Sequence, residues 1–178
     1  MNLRRTCAVS WILVFAAGST AAPAQSRPRT LRVVNVRAVE ASIKNASVTP
    51  QPLQFLASDP DLGSVPANSQ ATLNWEIVGA HATGTWTVSV AAGASAFSGC
   101  GTVPVSAITV RCASSSGGTC GAPFQLSPQP QTVASGGQGN GNTGMTVIVN
   151  FTFQDAWQYI AGLDLPCTLN LNYEITGS

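Results

Sequence analysis

Residues 71–90 read ATLNWEIVGAHATGTWTVSV, and this stretch decides the fold class. Leu73, Trp75 and Ile77 share one parity in its first arm, and Trp86, Val88 and Val90 share one in its second. Side chains alternate between the two faces of a strand. Each arm therefore presents an apolar face to a core and leaves Thr72, Asn74, Glu76, Thr85, Thr87 and Ser89 for water or neighbouring strands. The spacing predicts two β-strands joined by a turn at residues 79–84, a hairpin whose two tryptophans anchor one apolar face. This is a folding signal and carries no chemistry of its own.

The same alternation recurs outward from that stretch. Met145, Val147, Val149, Phe151 and Phe153 share one face, as do Cys167, Leu169, Leu171, Tyr173 and Ile175, with Thr168, Asn170, Asn172 and Glu174 opposite. Between these two strands, residues 155–160 predict one helical turn capped by Asp155, with Trp157 or Ile160 plugging the end of the core. Residues 107–112 and the pair Phe124 and Leu126 predict further strands, and residues 135–144, SGGQGNGNTG, a flexible connection. Gly139, Gly141 and Gly144 match GxGxxG there, but a dinucleotide loop is followed by a helix, whereas residues 145–153 form a strand. Towards the amino end, Leu31, Val33, Val39, Ala41 and Ile43 lie on one parity and Val34, Val36 and Ala38 on the other. That predicts a strand, or two with a bend, buried from both sides. Val48, Leu53 and Phe55, set around Pro50 and Pro52, predict an edge strand, where proline is tolerated.

Ser47-Val48-Thr49-Pro50 followed by Leu53-Gln54-Phe55, with a later strand ending at Phe97, resembles the immunoglobulin-like modules of bacterial secreted and surface proteins. The resemblance covers roughly the first half of the body and implies architecture and a structural or adhesive role, not an activity. Asp155 and Tyr159 are spaced as at the corner between two strands of immunoglobulin domains, although Ala161 stands where an antibody-type domain has its cysteine. The expected fold is an all-β, antiparallel immunoglobulin-like β-sandwich of about 7–9 strands, with one short helical turn and two disulfides.

Arg4 and Arg5 precede an apolar run at residues 7–17, and small residues follow, ending in Ala22-Pro23-Ala24. This pattern is that of a secretory signal peptide, residues 1–24, cleaved after Ala24, since the run is shorter than the about 20 residues of a membrane span. No span is expected after cleavage, and the mature chain is expected in the periplasm, outside the cell or on its surface. Of the five cysteines, Cys100, Cys112, Cys120 and Cys167 remain. An even number in an exported chain predicts two disulfides with three possible pairings, of which we favour Cys100 with Cys112 and Cys120 with Cys167. The first would close a local hairpin and the second tie the chain's end to its middle. With no CxxC pair and His81 the sole histidine, no zinc site and no cofactor are expected.

The net charge of +1 conceals an asymmetry. Arg27, Arg29, Arg32, Arg37 and Lys44 face Glu40 alone within residues 25–44, whereas beyond them only Arg111 opposes Asp59, Asp61, Glu76, Asp155, Asp164 and Glu174. The chain thus divides into a basic, strand-forming arm at 25–44 and an acidic sandwich body at 45–178. Such an arm is either a solvated tail or docks on an acidic surface, its own or that of a neighbouring copy. An acidic body argues against nucleic acid as a partner.

Catalytic residues are not expected. His81 lies in the turn at 79–84, no GxSxG elbow is present, and no two acids stand out as a pair. Asp59 and Asp61, in Asp59-Pro60-Asp61-Leu62-Gly63, form a turn that is also a candidate calcium or ligand loop. Asn45-Ala46-Ser47 and Asn150-Phe151-Thr152 match the N-glycosylation triplet. The expected function is that of a secreted, non-enzymatic structural or adhesion module of the bacterial surface. A subunit of a pilus-type fibre, lending its arm to the next copy or to another surface protein as a strand, has that layout. The alternative is a monomeric carbohydrate-binding module, with Trp75, Trp86, Trp157, Tyr159 and Tyr173 as candidate stacking platforms.

Overall fold

The computed structural model describes residues 29–40, 42–55, 63–80, 83–100, 103–156, 159 and 167–178. Twelve strands follow one another: β1 (Arg29–Ala38), β2 (Ile43–Thr49), β3 (Leu53–Phe55), β4 (Ser64–Pro66), β5 (Ala71–Ala80) and β6 (Thr85–Ala92), then β7 (Ile108–Ser115), β8 (Gly118–Cys120), β9 (Phe124–Gln125), β10 (Gln131–Gly137), β11 (Gly141–Gln154) and β12 (Cys167–Gly177). They form two six-stranded sheets. The first runs β3-β1-β12-β6-β10-β8. The second runs β2-β5-β11-β7-β9, with β4 pairing β11 beyond the end of β5. Twelve strands exceed the expected seven to nine because β3, β4, β8 and β9 are only two or three residues long.

The tryptophan stretch forms two strands with the predicted parities, but they are not a hairpin. β5 lies between β2 and β11 in one sheet, and β6 between β12 and β10 in the other. Two adjacent arms that each carry a fully apolar face can bury both by lying in opposite sheets and facing one another. Trp75 and Trp86 accordingly meet across the core edge to face, with centroids 5.2 Å apart. The chain leaves β5 through Gly79, whose φ of 71° is costly for any residue with a Cβ.

β11 and β12 are central strands, and their alternate residues fill one continuous core. The sheets are not antiparallel throughout, because β1 runs parallel to β12, with Leu31 opposite Leu169 and Arg37 opposite Glu174. β1 and β12, the first and last described strands, are separated by all the other described strands, which supply the long crossover that parallel pairing requires. The expectation that residues 30–43 are buried from both sides fails. Only Arg29, Thr30 and Leu31 of β1 are buried, and Val34 is 57% exposed at a register shift between Val33 and Asn35. A bulge of this kind twists a strand away from its layer.

The cysteines pair as Cys100–Cys167 and Cys112–Cys120, which corrects the favoured pairing. Ser98 and Thr168 exchange backbone hydrogen bonds of 2.8 and 2.9 Å, and this bridge sets Cys100 beside Cys167 at the start of β12. Cys112 lies in β7 and Cys120 in β8, so the short disulfide staples one sheet to the other across the turn at Ser116 and Gly117. Residues 135–144 are not a flexible connection either. β10 and β11 occupy most of them, and Gln138 between the strands is buried, donating from Nε2 to the Thr85 carbonyl at 3.0 Å. The glycine match therefore falls in a turn and strand, not a phosphate loop. A 3-10 turn occurs at Val105–Ala107. Of the helical turn expected at 155–160, residues 157, 158 and 160 lie outside the described residues.

Candidate functional site

The feature that joins charge, exposure and topology is the docking of β1. On one side it pairs with β12 along its whole length, and on the other with β3 over Arg29, Thr30 and Leu31 alone. Pro52 stands immediately before β3, and its ring nitrogen cannot donate to a ladder, so the pairing stops there. From Arg32 to Ala38 no described strand pairs with the outer edge of β1. A shallow groove of about 270 Å³, lined by Arg32, Val33, Val34, Gln51 and Pro52, opens just before the first residue of β3.

The buried end of β1 is held by charge. Both terminal nitrogens of Arg29 donate to the two Asp155 carboxylate oxygens at 3.3 Å, and the two side chains are only 5% and 4% exposed. The guanidinium lies over the ring of Phe153, 4.4 Å from its centroid. Phe55 of β3, Phe97 and Tyr159 pack around that ring at 5.6, 6.4 and 6.2 Å. Asp155 is oriented by its own chain, since Oδ1 also accepts the Ala156 backbone N–H at 2.9 Å. Arg29 of the basic arm thus seats on Asp155 of the acidic body. The charge asymmetry left a solvated tail and docking on either copy open, and nothing in the sequence singled out Asp155 from the other acids.

Several expected site residues are placed elsewhere. Trp75, Trp86 and Tyr173 are 2%, 0% and 1% exposed, so none of these three offers a face to a sugar. Tyr159 is half-buried against Phe153. Trp157, His81, Asp164 and the Asp59–Asp61 turn lie outside the described residues, so the calcium candidate has no structural account. Among the described residues there is no group of three His, Cys, Asp or Glu side chains placed to hold a metal, and no helix long and apolar enough to cross a membrane. Asn45 of the first glycosylation triplet is at a φ of 55° and donates to Glu76 at 2.9 Å.

Tyr173 is fully buried, and its hydroxyl has no hydrogen-bond partner among the described residues. Desolvation pushes the phenol well above its ordinary value of 10.0. The folded state therefore holds the proton while the unfolded chain releases it near pH 10. Stability is intact below that pH and falls above it, by up to about 1.4 kcal/mol per pH unit for one such group. Tyr173→Phe removes both the alkaline sensitivity and an unsatisfied buried polar group, and we expect it to stabilise the chain by about 1 kcal/mol. Denaturant titrations of both proteins at pH 7 and pH 10.5 would test this, and an equal alkaline loss in the variant would refute it.

Two disulfides fit an oxidising, extracytoplasmic location. Comparison with protein-family models and with curated proteins finds no match for this chain.

Proposed function

We propose that the chain is a secreted, non-enzymatic structural module of the bacterial cell surface, an immunoglobulin-like sandwich that assembles with further copies by exchanging β1. The observation that carries this reading is the pairing of β1, the first described strand, which has one full partner, a three-residue second partner and, beyond Leu31, no described strand on its outer edge. An element exchanged between identical subunits makes the same contacts it made at home. The balance between closed monomer and assembly then depends on the hinge and on concentration, not on new chemistry. The hinge here lies between β1, which ends at Ala38 in one sheet, and β2, which begins at Ile43 in the other. Because β1 completes its own sheet in the closed monomer, assembly begins with its release.

The carbohydrate-binding alternative is less well supported, because three of its aromatic platforms are core residues. Light scattering on oxidised 25–178 across a concentration series decides between the two. Strand exchange predicts oligomers that grow with concentration and on slow cooling from partial unfolding, and that are suppressed by excess synthetic peptide 27–40. Deletion of residues 25–38 should abolish them. A chain that stays monomeric throughout would end the exchange reading and direct the search to glycan screening.

A further inference from the structure

We propose that Asp155 and Phe153 form a socket that reads one arginine side chain, and that its occupant in the assembled state is Arg29 of a second copy of this chain. This rests on the strand-exchange reading above and names what gives the exchange its partner and register.

The socket's walls all come from outside β1. Phe153 is fully buried and fixed by Phe55 and Phe97, while Asp155 is 6% exposed and held through Oδ1 by the Ala156 amide. In the assembled state the same carboxylate is covered again by an incoming strand, and a guanidinium there offsets the cost of desolvating it. The geometry selects guanidinium. Two donors reach two carboxylate oxygens while the flat group covers an aromatic face, and a lysine ammonium supplies neither the fork nor the plane. Arg32 and Arg37, the other cations of β1, are exposed and stand opposite Asn170 and Glu174 on β12, so of the cations of β1 the socket takes Arg29.

Register follows from the same contacts. Arg29 and Leu31 share a parity, and Leu31 is buried opposite Leu53 and Leu169. A strand two residues out of step would bring either Leu31 to Asp155, without the two-pronged pair, or Arg27 to Asp155 with Arg29 forced into the apolar site of Leu31. The arm therefore carries a two-point signal, an arginine followed two residues later by a leucine, that a foreign strand of similar hydrophobicity lacks. Specificity comes from the penalty imposed on wrong occupants as much as from the contact made by the right one.

Charge reversal tests this without abolishing the pair. In Arg29→Asp both arm and socket are acidic, and in Asp155→Arg both are basic, so each chain is mismatched with itself and matched with the other. Co-refolded at equal concentration with distinct mass labels and analysed by native mass spectrometry, the two should give mixed assemblies in about tenfold or greater excess over same-chain ones. The chain carrying both changes should assemble with itself and not with the wild type, which also shows that the changes permit folding. A statistical mixture of same-chain and mixed assemblies, alongside normal wild-type assembly, would overturn the socket while leaving strand exchange in place. Monomers in every sample, wild type included, would overturn both.

Discussion

Replacing Cys100 and Cys167 together by alanine should lower the unfolding free energy by about 4 kcal/mol, with the larger share of the loss expected from the unfolded state. The crosslink joins positions 67 residues apart, and closing a loop of that length removes much of the unfolded chain's entropy. The Cys112–Cys120 bridge spans 8 residues, and the same relation assigns it about 2.5 kcal/mol. Alanine is the appropriate replacement because both half-cystines of the long bridge are 4% exposed, where a serine hydroxyl would add a desolvation cost of its own. Urea midpoints of the two paired variants at unchanged slope provide the comparison. A short-bridge variant that loses as much as the long-bridge variant would sink the entropic ordering. The long bridge also pins the first residue of β12, the strand on which β1 lies, so its loss should increase exchange of the arm.

Trp86→Ala should cost about 3–5 kcal/mol, the range for removing a large aromatic side chain from a packed core. Trp86 is fully buried, meets Trp75 edge-on, and donates from Nε1 to the Gly137 carbonyl at 3.0 Å. Its ring occupies space left by Gly118 and Gly136. A Cβ at Gly118 would overlap the ring, and one at Gly136 would overlap the Gly117 carbonyl and approach the ring to 2.7 Å. Backbone at Gly118 and Gly136 walls one side of the ring and limits collapse there, and the Gly137 carbonyl loses its donor. Trp86→Phe keeps part of the volume and should lose less than half as much. Thermal and urea unfolding of both variants would measure the difference, and an alanine variant within about 1 kcal/mol of wild type would show that the core repacks freely.

Strand parity was legible in the sequence. Leu73, Trp75 and Ile77, Trp86, Val88 and Val90, and the inward residues of β11 and β12 are buried as their alternation predicted. Basic arm and acidic body were also legible as composition. The arm's actual attachment was not, since Arg29 and Asp155 are 126 positions apart and neither carries a local mark of the other. Nor was the glycine-rich segment at 135–144, whose β10 residues contribute close approach to Trp86 in place of an apolar repeat.

The sequence by itself determined that this chain folds as strands around an apolar core and that four of its five cysteines suit two crosslinks. Alternation and cysteine number are properties of the chain read one short stretch at a time. Only the tertiary structure decided that β5 and β6 face each other from opposite sheets, that Cys100 joins Cys167, and that β1 lies parallel to β12 with Arg29 seated on Asp155 and Phe153. Those choices depend on which distant segments bury each other best, and a strand's own residues fix the face it buries without fixing the neighbour that covers it.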